Sequence, residues 1–231
     1  MSFIINPYRF ATATAGGSDP YFNNVVLLLH MNGANGGTTF TDSSSFARTV
    51  TTYGDAKTST TQSKFNGSSG LFDGTTDRLS VPASSDFNMG SGDFTIETWI
   101  YPTTLGGTQY LFDSGGNSPT YVRIQDGIYF LTHLEGVSIG SCLHTLSTNV
   151  WSHVALTRSG TSVRIFVNGA VVQSVTSSTQ VGNSTLSFTV GGYSGGSSFG
   201  LKGHMAEFRI TKGVARYVDN FTPPSAPFPD S

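Results

Sequence analysis

Trp151-Ser152-His153-Val154-Ala155-Leu156-Thr157-Arg158, then Ser159-Gly160, then Val163-Arg164-Ile165-Phe166-Val167 and the pair Asn168-Gly169 form one nearly continuous stretch. Two runs rich in β-branched and aromatic residues meet at a Ser-Gly turn, and Asn168-Gly169 leads from the second run into Ala170 to Val175. Asn and Gly tolerate positive φ at both centres of a two-residue turn, so antiparallel strands are expected on either side of it. Further strands are expected over 25–30, 49–53, 78–81, 110–113, 121–125, 128–133, 185–190 and 204–211. Asp93 to Tyr101 alternates strictly: Phe94, Ile96, Thr98 and Ile100 share one face, and Thr95, Glu97, Trp99 and Tyr101 the other. Many short strands and only one helix-like segment, a turn over Gly213 to Val218, imply two packed antiparallel sheets.

Composition agrees with this all-β reading. Of the 231 residues only 11% are charged, and Gly, Ser and Thr occupy places where a helical protein carries Lys and Glu. A chain of this length buries roughly 70% of its unfolded surface and needs no staples. The net charge is −2 and the 12 basic residues are scattered, which argues against a nucleic-acid partner. The longest apolar run, Val25 to Leu29, suits one buried strand and is far too short for a membrane span. The single cysteine, Cys142, excludes an internal disulfide and reads as a small core residue. The N-terminus has neither the basic region nor the sustained apolar stretch of a secretory signal.

Three zones differ in character. Residues 1–18 form an arm and spacer, residues 19–212 the body, and residues 213–231 a Pro-rich extension of the same domain. In the arm, Phe3, Ile4, Ile5, Tyr8 and Phe10 would each gain roughly 1.5–3 kcal/mol on full burial. Ordering ten backbone residues costs on the order of 10–20 kcal/mol, so docking is marginal for a free arm and favourable within an assembly. Phe3, Ile4, Ile5, Tyr8, Arg9 and Phe10 are therefore the expected anchor to a partner, with pairing to the domain's own sheet as the alternative.

Asp93-Phe94-Thr95-Ile96-Glu97-Thr98-Trp99-Ile100, the hairpin from Trp151 to Gly169, Leu71 to Asp77 and Gly203 to Ile210 together resemble the laminin-G-like, concanavalin-A-like jelly rolls. That resemblance implies a two-sheet antiparallel jelly-roll sandwich over about residues 25–212. The fold hosts lectins, adhesion modules, enzyme appendages and glucanases, so it leaves function open. The flanks, Asn6-Pro7-Tyr8-Arg9-Phe10-Ala11 and Thr211 to Arg216-Tyr217 with Asn220 to Pro224, look like the ends of laminin-G-like proteins of tailed bacteriophages. This implies a structural protein of the virion exterior, in a capsid decoration, tail or tail fibre, assembled in the host cytoplasm. Its partners would be other virion proteins and a host-surface glycan, and a symmetric homo-oligomer, preferably a trimer, is expected.

Catalysis is not expected. The three glutamates, Glu97, Glu135 and Glu207, lack acidic neighbours on their own strands, whereas a retaining glycosidase needs two carboxyl groups roughly 5–5.5 Å apart. The histidines His30, His133, His144, His153 and His204 show no zinc spacing, and His153 reads as packed and hydrogen-bonded. Gly191 to Gly196 reads as a flexible loop. Asp73-Gly74-Thr75-Thr76-Asp77 suits a structural calcium, with Glu207 as a third ligand or as a strand residue paired to Arg209 or Arg78. Equally, Asp73 and Asp77 cap a turn through their own backbone. For sugars, Tyr101, Tyr110, Tyr121, Tyr129 and Tyr193 offer stacking faces, with Asn117 and Gln125 to orient a ligand, while Trp99 and Trp151 read as core. A soluble carbohydrate-binding lectin module and a glucanase-type hydrolase are the alternatives to the virion reading.

Overall fold

The computed structural model describes residues 17–116, 119–143, 145–182, 186–196 and 198–231. The anchor residues Phe3, Ile4, Ile5, Tyr8, Arg9 and Phe10, together with Asn117 and His144, lie outside them. Among the described residues, fifteen strands build two antiparallel sheets. They are β1 (Val25–Leu29), β2 (Thr51–Tyr53), β3 (Lys57–Ser59), β4 (Ser69–Asp73), β5 (Arg78–Val81), β6 (Phe94–Pro102), β7 (Thr108–Asp113), β8 (Tyr121–Gln125), β9 (Tyr129–Leu134), β10 (Val137–Leu143), β11 (Ser152–Ser159), β12 (Ser162–Val167), β13 (Ala170–Thr176), β14 (Phe188–Val190) and β15 (Lys202–Lys212). Sheet A runs β13-β12-β11-β6-β15-β4-β3, with β1 also on β15; sheet B runs β10-β9-β8-β7-β14-β5-β2.

The alternation in β6 is realised in packing. Phe94, Ile96 and Ile100 enter the core between the sheets, where they join Leu111, Phe112, Val122, Ile124, Phe130, Leu156, Phe208 and Ile210. The sequence does not show why Thr95, Glu97 and Trp99, on the opposite face, are buried as well. The cover is the C-terminal segment. Tyr217 and Phe221 stack at 3.6 Å with planes 4° apart, and both rings meet Phe166 and His153. Phe228 packs with Val25 and Leu28. At the same end of the tail, the Asp19 N–H donates to the Ser231 carbonyl at 2.8 Å.

The turn expected over Gly213 to Val218 is not helical: Gly213 has φ +80°, and the Arg216 N–H is taken by Thr95 Oγ1 at 2.8 Å. Among the described residues only Phe22–Asn24 and Ser85–Phe87 form short 3-10 turns. Strand β15 serves two neighbours, β4 through Lys202–Met205 and β1 through Phe208–Thr211. Its register against β6 slips between Ala206 and Arg209, where Glu207 takes φ +54°. This is a bulge at a non-glycine residue.

The hairpin that decided the fold is also where the tail attaches. Asn168 and Gly169 take φ +49° and +80°, as the two-residue turn demands, and Gly169 accepts the Phe221 N–H through its carbonyl. A Cβ at Gly169 would lie 1.8 Å from the Phe221 carbonyl oxygen. Gly169→Ala is therefore expected to cost at least about 1–3 kcal/mol through strain and to loosen the tail. Thermal unfolding, with tail release read by proteolysis after Val214, checks this.

Candidate functional site

Two polar constellations and one aromatic face stand out from the sandwich. The first constellation lies between sheet A and the tail. Glu97 is fully buried, and both its oxygens are saturated. Arg209 donates to Oε1 through Nε (3.0 Å) and Nη2 (2.7 Å), while Tyr217 Oη (2.8 Å) and His153 Nε2 (3.1 Å) meet Oε2. Asp19 accepts from Arg209 Nη1 at 3.0 Å and from Arg216 Nη2 at 2.6 Å. Burial alone would raise the Glu97 pKa, but the Arg209 charge and the His153 hydrogen bond hold it far below the ordinary carboxylate range. Asp19 is likewise lowered against its burial by Arg216. Burial and the Glu97 charge push the Tyr217 phenol well above its usual value.

These groups clamp the fold. A carboxylate with four donors and no free lone pair toward solvent is a poor acid or base. The other glutamates are also committed: Glu207 holds His30 Nδ1 at 2.8 Å and the Phe228 N–H at 2.9 Å, and Glu135 accepts the Gly182 N–H at 2.7 Å.

The second constellation gathers Asp73 and Asp77 with Asp55, which the sequence reading did not include; one oxygen of each lies within 4.8 Å of the others. Glu207 is not a member. The turn-capping use of Asp73 and Asp77 is present in full: Asp77 accepts the N–H groups of Asp55 (2.8 Å) and Asp73 (2.9 Å), and Asp73 accepts from Thr75. Burial, together with the Asp73 and Asp55 charges, raises the Asp77 pKa despite those bonds. The donor set still fits a hard cation, because each Asp77 oxygen accepts a single N–H and keeps a second lone pair, and a cation would relieve the crowding of three acids.

The aromatic face is the outer surface of sheet B. Because Val122 and Ile124 point into the core, Tyr121, Arg123 and Gln125 point out. Register sets Tyr110 opposite Arg123, Asp113 opposite Tyr121, and Tyr121 opposite His133. Tyr110 lies 5.0 Å from Tyr121 and 5.1 Å from Tyr193, between ring centroids. Tyr193 in turn meets Phe199 at 6.0 Å, and Tyr121 stacks on His133 at 4.6 Å. Arg123 lies over the rings of both Tyr110 and Tyr121 and donates from Nη1 to Tyr110 Oη at 2.8 Å. Burial raises the Tyr121 pKa to about 12, against the opposing Arg123 charge. Burial and Arg123 lower that of His133. The Gly191–Gly196 loop, expected to be free, is tied down: buried Asp113 accepts the Ser194 N–H at 3.0 Å, and the Gly191 N–H bonds the Leu111 carbonyl.

Three of the five expected tyrosines, Tyr110, Tyr121 and Tyr193, therefore meet on one face. Tyr101 lies instead on the outer face of sheet A, 5.5 Å from Trp151 and 5.9 Å from His204. Tyr129 pairs with Gln125 in register. Arg123, His133 and Phe199 were not anticipated. A signal for Arg123 was available, because period-two reading of Tyr121 to Gln125 places it beside Tyr121. Trp99 is buried at the ring edge of His153, whereas Trp151 is only partly covered. Cys142 is half-buried against the core, and burial pushes its thiol up to about 11.

This fold is an antiparallel jelly roll carrying an aromatic platform on one sheet. The chain belongs to the concanavalin A-like lectin/glucanases superfamily, whose laminin-G-like family matches residues 73–215, more than half its length. Among solved structures, the binding domain of Paraclostridial Mosquitocidal Protein 1 is similar at TM-score 0.65 and 15% identity, over 85% of this chain and 51% of that one. Domain 4 of AbnA, an extracellular arabinanase from Geobacillus stearothermophilus in complex with arabinotriose, is similar at TM-score 0.61 and 15% identity, over 83% and 94%. The receptor-binding domain of botulinum neurotoxin D gives 0.63 and 14%, over 85% and 51%. This chain spans about half the length of the two toxin domains. No curated protein matches it.

The ion cluster sets a pH dependence. Carboxylates with depressed pKa values stabilise fully above their unfolded values, near pH 4 to 4.5, and that contribution is lost as pH falls below them. The melting temperature is expected to drop steeply between about pH 5 and 3. Glu97→Gln, which leaves the buried Arg209 and Arg216 with Asp19 as their one remaining carboxylate, is expected to cost roughly 3–5 kcal/mol at neutral pH and to flatten that acid limb; melting curves across pH check both.

Proposed function

We propose that this protein is a non-catalytic glycan-binding jelly roll that receives its ligand on the outer face of sheet B. The observation that carries the reading is the pair of open rings Tyr193 and Phe199, backed by the buried rings of Tyr110 and Tyr121, with Arg123 and His133 beside them. Rings on a rigid sheet stack on the apolar faces of sugars, and nearby polar side chains such as Gln125 fix orientation. The arabinotriose complex of a similarly folded domain supports a sugar as the ligand class. The engagement of Glu97, Glu135 and Glu207 in structural bonds supports binding without hydrolysis.

The finer reading places the protein on the exterior of a tailed-phage virion, fastened through residues 1–18 and displayed as a homo-oligomer, preferably a trimer. Its support is the resemblance of the two flanking sequences. Deleting residues 1–18 is expected to leave the melting temperature within a few degrees and to abolish incorporation into particles; normal incorporation rejects the anchor. Asp55, Asp73 and Asp77 are proposed to hold a structural calcium, so calcium added to chelator-stripped protein is expected to raise the melting temperature, and an unchanged curve rejects the site.

A glycan array followed by calorimetry tests the binding reading. Tyr193→Ala and Phe199→Ala, both at partly exposed positions, are each expected to weaken saccharide binding by about tenfold, or roughly 1.4 kcal/mol, while leaving thermal stability nearly unchanged. A blank array and the absence of reducing-sugar release would together leave a purely structural role.

A further inference from the structure

The guanidinium on this face has no counter-charge. Arg48, Arg209 and Arg216 are each paired with a carboxylate. No described carboxylate lies within ion-pair distance of Arg123. The acid nearest in register, Asp113 beside Tyr121, is fully buried, with its oxygens taken by the Gly115 and Ser194 N–H groups. Nη1 of Arg123 spends one hydrogen on Tyr110 Oη, and Nε is sealed from solvent with no partner. The second hydrogen of Nη1 and both hydrogens of Nη2 have no acceptor among the described residues.

Set against the contacting rings of Tyr110 and Tyr121 and anchored by the Tyr110 Oη bond, the guanidinium presents its free end in a fixed orientation. A second arginine on the same sheet face, Arg78, stacks on Tyr53 and, among the described residues, donates to the Thr76 carbonyl alone. His133, the other titratable group beside Arg123, adds no negative charge. A pre-oriented fork with unused parallel donors matches a carboxylate, which it can bind bidentately. An unpaired cation among aromatic rings would be a poor choice for a neutral sugar alone.

We infer that the glycan taken by this face carries a carboxylate, a uronic or sialic acid type of saccharide, with Arg123 as the residue that reads the acid. This rests on the proposed sugar-binding role of sheet B and specifies its ligand class. The carboxylate would accept from Nη1 and Nη2 while its ring stacks on the exposed edge of Tyr193 and Phe199.

The probes are trigalacturonate against its methyl ester and 3′-sialyllactose against lactose, measured by calorimetry on the full chain. At least one acidic member is expected to bind about tenfold or more tighter than its neutral counterpart, and its affinity to fall as salt rises. Arg123→Gln is expected to erase that preference while keeping residual neutral binding, and Arg123→Lys to restore only part of it. Tyr110→Phe, which removes the Nη1 anchor but keeps the ring, is expected to reduce the preference in the event that Arg123→Gln does not fold. Equal binding of acidic and neutral partners overturns the acidic-ligand inference and leaves the sugar-binding reading standing. Binding of sulfated lactose with no binding of the carboxylates overturns the assignment of the acid. Absence of binding by any saccharide overturns both.

Discussion

Four buried charges hold the two ends of the described chain onto sheet A. Asp19 precedes the first strand, Glu97 sits mid-sheet in β6, Arg209 lies on β15 beside it, and Arg216 belongs to the tail. The set is neutral, two acids against two bases, so no net charge is stranded beneath the tail. Each ion still loses its water, and only a near-complete set of partners offsets that loss. The cluster meets this condition because Tyr217 and His153 fill the remaining lone pairs of Glu97. Its contribution lies less in raw stability than in specifying one position for the tail. Any other placement of residues 213–231 would leave Asp19 without Arg216 and Glu97 without the Tyr217 hydroxyl.

That fixation divides labour between the two sheets. Sheet A is covered on its inner face by the core and, over β11 and β12, on its outer face by the tail. Sheet B keeps the face that carries rings and an uncompensated cation. Aromatic residues occur on both outer faces, but on sheet A Tyr217 and Phe221 stack on each other and on Phe166, and are consumed in attaching the tail. On sheet B, Tyr193 and Phe199 remain partly open.

Local chemistry made most of the sheet structure readable. Asn168-Gly169 announced its hairpin, and the strict alternation from Phe94 to Ile100 gave the inward face of β6 correctly. Short strands such as β3 and the edge strand β10 escaped notice, because Lys57–Ser59 has no apolar alternation and Val137–Leu143 is interrupted by Ser and Gly. The outward partners of β6 were illegible for a different reason. Glu97 meets Arg209 and Tyr217 across more than a hundred residues, and nothing in the spacing of those residues brings them together. The aromatic face lay between these cases. Its tyrosines stood out by type, yet only register across β7, β8 and β9 showed that Tyr110 and Tyr121 share a surface with Arg123 while Tyr101 does not. Asp55 was missed at the acidic cluster because the turn before β3 folds back onto Asp77 through a backbone bond.

The bulge at Glu207 works as a phase shifter. Upstream of it Met205 points into the core; downstream, Phe208 and Ile210 do, so the inward positions change from odd to even numbers within one strand. Were the same sequence paired in regular register with no bulge, Arg209 would be driven into the hydrocarbon interior and Phe208 out beneath the tail. The two halves of β15 are thus written in different frames. Deleting Glu207 itself would leave Met205, Phe208 and Ile210 in one unbroken inward alternation, whereas a single-residue deletion elsewhere in β15 would invert one half of the strand.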